Sequence, residues 1–240
     1  MIATADTIGI GIYTPAEAAF YARVQTRLLT RWLFGSAQGD AVVTPRLLDQ
    51  PPDDRLVTFL DFVQALAIRN LRINYKISLS KIRAAVDRAR EQFEVEYPFA
   101  MSHTTYLFSD RARTGHGELV IQLDDGEDEP KLVQLSGKAA GNLVMAEVVE
   151  LYLDQLSFDE RGLAEAYRAG GDEENPIVMD PALRFGEPVL RRCGYTAETL
   201  WEASILEGGL DAAARAYGVD RTDVALACEF FDHLQGRPTA

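Results

Sequence analysis

Apolar positions fall at helical spacing through roughly the first hundred residues, alternate with polar ones through the middle, and return to helical spacing near the end. In "YTPAEAAFYARVQTRLLTRWLFG" (13–35), Thr14 reads as an N-cap, Pro15 as the first helical residue, and Glu17 as the capping-box partner of Thr14. Ala18, Ala19 and Ala22 allow a neighbouring helix to approach closely. A break at 23–25 precedes a second helix over 26–34, stopped by Gly35. Leu29, Trp32 and Leu33 form the inner side of that second helix, which leaves Thr26, Arg27, Thr30 and Arg31 outside.

Residues 36–57 carry Gly, Pro, Asp and two short β-like runs, "AVVT" and "RLVTF", and are expected to form an extended loop or hairpin. "TFLDFVQALAIRNLRI" places Phe59, Phe62, Val63, Leu66 and Leu71 on one helical stripe. After "NYKIS", Ser78 or Ser80 caps a further helix, "LSKIRAAVDRAREQF". From about 101 the pattern changes to strands: "TTYLF", "GELVIQLDD" and "PKLVQLS", with "DDGEDEP" as the turn between the last two. "AGNLVMAEVVELYLDQL" fits the helix and the strand period equally, so its type stays open. "FDERGLAEAYRA" reads as a hairpin turning near Gly162, and the charged "GGDEENP" as a join between parts. Two extended pieces around a Gly-Glu-Pro turn follow, then three helices, "AETLWEASILEG", "LDAAARAYG" and "RTDVALACEFFDHL". Together these elements predict an α+β protein, mainly helical: an N-terminal winged helix-turn-helix part over 1–100, a β-rich middle over 101–175, and a small helical C-terminal part with a short β-hairpin over 176–240.

Charge sharpens this division. The chain has 24 Lys+Arg against 37 Asp+Glu, a formal −13. Residues 1–100 hold 12 basic and 11 acidic side chains, whereas the other 140 hold 12 and 26, so almost all of the negative charge lies in the rear. Arg23, Arg27 and Arg31 stand four residues apart in the head of this acidic chain. A helix, a break and a second helix with a basic outer face is the shape of a DNA-reading helix-turn-helix. On it, Arg27 and Arg31 reach guanine edges or phosphates and Thr26 and Thr30 bond backbone oxygens, while Arg46 and Arg55 on the following extended segment complete the candidate DNA-binding set. The competing explanation is a solvated helix face, since Arg is also a good helix former.

"YTPAEAAFYARVQTRLLTRWLFG" followed by "VTFLDFVQALAIRNLRINYKISLSKIRAAVDRARE" resembles the N-terminal domain of MerR-type regulators, in which a helix-turn-helix with a Leu-x-x-Trp element leads to a wing and a helix pair. The resemblance covers about residues 12–93 and includes Leu71-Arg72 through Ile82-Arg83. It departs at Arg23, where a turn glycine is usual, and in lacking the long dimerisation helix. The C-terminal stretch is similar to the small bacterial domain-of-unknown-function family 433, on Asp180-Pro181, Gly186, Pro188-Val189, Thr196, Gly208, Tyr217 and Phe230. There the usual Gly-Thr-Arg is replaced by Arg192-Cys193-Gly194. A MerR-like head joined to such a tail resembles VapB-type antitoxins, encoded beside PIN-domain ribonuclease toxins of the VapC type.

That resemblance implies an antitoxin that neutralises its ribonuclease and, as a homodimer on a palindromic operator, represses its own operon. A rear half of net −14 suits a basic ribonuclease, with candidate contacts at Asp124, Asp125, Glu127, Asp128 and Glu129 in the acidic turn and Asp172, Glu173 and Glu174 in the join. For any one of these acids a plain solvated turn is the competing explanation. The functional alternative is a stand-alone MerR-like regulator sensing a small ligand in the middle segment.

Enzyme chemistry finds little support in the chain. His103, His116 and His233 are scattered, and there is no HExxH, GxGxxG, P-loop or GxSxG pattern. No cofactor or metal is expected. Cys193, beside Arg191 and Arg192, is expected to be structural in spite of those cations. Two cysteines without disulfide spacing, no leader-like start and no apolar run of about 18 residues lead us to expect a cytoplasmic protein without a membrane span.

Overall fold

The computed structural model describes residues 10–37, 39–43, 45, 47, 50–102, 106–109, 118–123, 131–134, 148–150 and 155–236. Strand β1 (Gly11–Tyr13) leads into α1 (Pro15–Tyr21) and α2 (Thr26–Phe34). The Thr14–Glu17 capping box forms in both directions, and Gly35 ends α2 at φ 74°. A two-residue strand, β2 (Val57–Thr58), precedes α3 (Phe59–Ile73) and α4 (Leu79–Phe93), with Ser78 as the cap of α4.

Helix α3 is the centre of the head. The expected stripe is buried, but so are Leu60, Ala65, Ala67 and Ile68, because neighbours cover it on nearly every side. Its start brings a carboxylate inside: Asp61 is buried and accepts the Thr58 hydroxyl proton at 2.7 Å, while Thr58 Oγ1 accepts from the Asp61 N–H at 3.2 Å. This reciprocal cap satisfies groups that would otherwise be expensive to bury.

The extended segment between α2 and α3 departs from expectation. Among the described residues "AVVT" forms no strand, and β2 pairs antiparallel with β1 instead. The Trp32 carbonyl at the end of α2 accepts from the Val42 N–H at 2.7 Å, and the Arg83 guanidinium of α4 donates to the carbonyls of Asp40 and Ala41 at 2.7 and 2.9 Å. Those backbone groups are committed to helices, so a ladder between the two β-like runs has no donors and acceptors to spare there.

The middle holds an antiparallel sheet of order β5-β4-β3-β6, from β3 (Tyr106–Ser109), β4 (Glu118–Leu123), β5 (Lys131–Gln134) and β6 (Val148–Glu150). The three expected strands are present, and the ambiguous stretch after them contributes β6. A second sheet, of order β10-β9-β8-β7, contains β7 (Leu156–Phe158), β8 (Ala164–Gly171), β9 (Pro176–Met179) and β10 (Val189–Leu190). The β7–β8 hairpin turns at Gly162 as expected. The stretch read as a join between parts is the turn of the β8–β9 hairpin, with Gly171 facing Pro176, so one sheet runs across residue 175. Helices α5 (Ala197–Leu206), α6 (Leu210–Tyr217) and α7 (Arg221–Gln235) complete the described residues.

Head and tail share an aromatic seam. Tyr13 packs on Tyr21 and Phe62, Phe62 on Tyr167 of β8, and Phe20 on Phe231 of α7, with ring centroids 5.3–6.2 Å apart. The Tyr13 hydroxyl, buried and pushed well above its ordinary pKa first by desolvation, donates to the Gly186 carbonyl at 2.8 Å. Gly186 has φ 81°, and a Cβ there would lie 2.3 Å from that same hydroxyl. Gly186→Ala is therefore expected to destabilise the fold by about 2–4 kcal/mol, combining left-handed strain with overpacking, and to lower the urea midpoint at unchanged m-value.

Candidate nucleic-acid interface

Helix α2 presents the surface with the properties expected of a phosphate contact. Leu29, Trp32 and Leu33 anchor it in the core, which turns the opposite side outward. Thr26, Arg27 and Arg31 are exposed and Thr30 is half-buried. Among the described residues no ion pair or hydrogen bond engages the guanidinium of Arg27 or Arg31. Gln25 precedes the helix without a side-chain cap, so the first N–H groups of α2 are available beside Thr26. An open depression of about 460 Å³ runs along this face, lined by Thr26, Arg27, Thr30, Arg31, Gly35 and Ser36 among others.

The other candidates divide. Arg55 is half-buried and lies over the Phe34 ring, 4.8 Å from its centroid, so its charge sits at the C-terminal end of α2. Arg46 lies outside the described residues, as do Asp124, Asp125, Glu127, Asp128 and Glu129. Asp172, Glu173 and Glu174 are exposed at the β8–β9 turn. Asp172 is partly occupied there: its Oδ1 accepts from the N–H groups of Glu174 and Asn175 at 3.1 and 2.9 Å.

One polar cluster in the tail is tied up structurally. Asp223, which alternates with Arg221 in the sequence and looks like a surface acid, is only 2 % exposed. Its Oδ1 accepts from Asn175 Nδ2 at 2.6 Å and from Arg192 Nε and Nη2 at 3.0 and 2.8 Å. Arg192 thus fastens β10 to the start of α7. Its effect on Cys193 is correspondingly minor: burial comes first and pushes that half-buried thiol up, away from reactivity.

The sequence marked Arg23 as a departure from the usual turn glycine, but not the contact it makes. It lies at the α1–α2 turn with φ 50°, the left-handed position where glycine is usual, and its side chain runs inward to α7. Arg23 Nη1 meets His233 Nε2 at 2.6 Å. Guanidinium only donates, so His233 accepts on Nε2 and carries its proton on Nδ1. Only the unusual residue at the turn position could have signalled this contact.

No family model matches the chain. It is 24 % identical over 225 residues to a Mycobacterium tuberculosis protein named "Putative antitoxin VapB45", covering 88 % of this chain and 89 % of the relative. It is 23 % identical over 232 residues to the uncharacterized protein Rv2308 of the same organism, covering 91 % and 89 %. The crystal structure of Rv2018, also from M. tuberculosis, superposes with a TM-score of 0.61 at 20 % identity over 91 % of this chain and 97 % of that one. That similarity extends to the overall α+β fold, and the chain is a distant homologue of the two curated relatives across most of its length. No helix among the described residues is long and apolar enough to cross a membrane.

The Arg23–His233 contact makes the fold sensitive to pH. Desolvation first, then the charges of Arg23 on the α1–α2 turn and Arg69 on α3, hold His233 below its ordinary value of 6.5, against a smaller opposing pull from Glu229 on α7. The folded state therefore takes up its proton later than the unfolded chain, and this contribution to stability is lost as pH falls through and below 6.5. Thermal unfolding followed between about pH 8 and pH 5 should show the midpoint falling with acid, and His233→Gln should flatten that slope.

Proposed function

We propose that this chain is the antitoxin of a toxin–antitoxin pair, binding a PIN-domain ribonuclease through its acidic rear half and its own operator through the α1–α2 face. The observation that carries the reading is its similarity, over 88 % of its length, to a protein named as an antitoxin. Three features of the chain support the details. The cations of α2 are outward and unengaged among the described residues, as a phosphate-binding helix requires. Uncapped N–H groups at the start of α2 add a favourable dipole for an anion. The residues after 100 carry a net −14, which repels nucleic acid and steers a cationic ribonuclease toward the rear of the molecule.

In this reading α2 lies in the major groove. Arg27 and Arg31 contact guanine edges or phosphates, Thr26 and Thr30 hold backbone oxygens, and Arg55 reinforces the C-terminal end of the helix. Two copies related by a two-fold axis would present two such helices to a palindrome. Toxin binding by the rear would leave that face accessible, so one molecule could inhibit the enzyme and repress the operon together.

Two assays test these parts separately. Co-expression with the ribonuclease encoded beside the chain should relieve growth arrest; an efflux or metabolic gene in that place, with no arrest to relieve, would favour a ligand-sensing regulator. Replacing Arg27 and Arg31 together by Ala should weaken operator binding by about 1–3 kcal/mol for each guanidinium that reads a base, and reduce the salt dependence of the remainder. A gel shift on the promoter fragment reads this out, and an unchanged shift would remove the two residues from the DNA face.

A further inference from the structure

Three consecutive residues at the β9–β10 connection adopt left-handed backbone: Arg184 at φ 48°, Phe185 at φ 55° and Gly186 at φ 81°. Glycine accepts this conformation freely, whereas an aromatic residue there is a steric outlier costing on the order of 1–3 kcal/mol. Phe185 gains nothing inside the molecule in return, since 76 % of its surface faces solvent. Yet the segment is rigidly built. Asp180 Oδ1 accepts from the Ala182 N–H at 2.8 Å, the Asp180 carbonyl accepts from the Leu183 N–H at 2.8 Å, and the Leu183 carbonyl accepts from the Gly186 N–H at 3.0 Å. The buried Tyr13 hydroxyl then pins Gly186 from the head. The backbone that carries the exposed ring is thereby held in place, two residues after the partly exposed Leu183.

The surroundings have a definite character. Glu187 follows the pinned glycine, and Glu17 lies in the first turn of α1. On α5, Glu198, Glu202 and Ile205 recur at the spacing of one outward stripe, next to Leu206, which is 80 % exposed. Glu17, Glu187, Glu198 and Glu202 are all exposed, and after desolvation the charges of Glu202, Glu187 and Glu17 act on Glu198 to raise its pKa. These exposed acids are accompanied by exposed apolar side chains: Leu183 and Phe185 in the β9–β10 connection, Ile205 and Leu206 at the end of α5. A preorganised aromatic anchor rimmed by unneutralised charge has the make-up of a binding hot spot.

We infer that this surface, formed jointly by head and tail, docks a basic segment of the partner ribonuclease, with Phe185 entering an apolar pocket of that segment and Glu17, Glu187, Glu198 and Glu202 meeting its Lys and Arg side chains. The inference rests on the antitoxin reading and names the surface through which it operates. Charge complementarity selects the occupant: four clustered carboxylates repel nucleic acid and a second acidic tail, and they attract a cationic protein surface.

The test uses the full chain co-expressed with the ribonuclease encoded beside it, with binding measured by titration calorimetry and by association rate at two salt concentrations. Phe185→Gly with Leu183→Ser should weaken binding about 30-fold or more while leaving the thermal midpoint unchanged or raised, because glycine suits the backbone at 185. Glu198→Gln with Glu202→Gln should slow association several-fold at low salt and flatten its salt dependence. If the unaltered chain fails to bind the ribonuclease, the antitoxin reading falls, and this surface with it. If the unaltered chain binds and both double variants bind equally well, the antitoxin reading stands and the surface is overturned. A change in self-association of the chain alone in the Phe185→Gly, Leu183→Ser variant, seen by sedimentation, would assign the surface to a second copy and overturn the inference as well.

Discussion

A buried phenol must find an acceptor, and the one available to Tyr13 lies 173 residues away, at the Gly186 carbonyl. The rest of the arrangement depends on this hydrogen bond and the rings around it. Strand β1 is too short to hold its place by pairing alone, with only two registered partners in β2. Clamping Tyr13 fixes β1, β1 fixes the start of α1, and α1 in turn sets its back against α7 through Phe20 and Phe231. With one side of the helix pair closed by the tail, α2 has one remaining way to face. The tail therefore helps to orient the head's basic surface.

The same packing sorts the charges. Four-residue spacing puts Arg23, Arg27 and Arg31 in register along the sequence, but the turn between α1 and α2 breaks the line, and the first arginine goes inward while the others go out. Arg69 of α3 is also drawn toward the interior, where burial first and the nearby Arg23 charge second lower its pKa. Among these arginines, Arg23 and Arg69 thus form an inner group, and Arg27 and Arg31 an outer one on α2. The outer group has the solvent access that the proposed operator contact needs.

Much of this was legible in local sequence. Thr14, Thr58, Ser78 and Thr196 each begin a helix, because a short polar side chain before an apolar-periodic stretch answers a backbone need that is decided locally. The burial of Leu29, Trp32 and Leu33 followed from period alone. What could not be read depends on distant partners. "AVVT" has every local mark of a strand, yet its donors go to the end of α2 and the carbonyls beside it to Arg83. "GGDEENP" has the composition of a linker, and a hairpin turn with left-handed Gly171 requires that same composition. Asp223 reads as a surface acid because nothing nearby announces Arg192 and Asn175, which reach it from 31 and 48 residues away. On the candidate site, the outward face of α2 was legible, whereas Phe185 was not: its exposure and strain exist only once the turn has closed.

Arg23 shows how a local exception can be maintained by the whole fold. An L-residue in the left-handed region costs on the order of 1 kcal/mol relative to glycine at such a position. Glycine there would relieve the turn, but it would leave the His233 nitrogen facing the head without its donor and open a gap where the guanidinium now approaches Gly236. An exposed hydrogen bond of this kind contributes roughly 0.5–1.5 kcal/mol, of the same order as the strain. The balance holds only while α7 is in place. Separated from its tail, the head would keep the strain and lose the compensation, so the turn that aims α2 is stable only in company with the C-terminal helix. A residue that looks like a flaw in the α1–α2 turn is, in this protein, one of the points at which the two ends of the chain are fitted to each other.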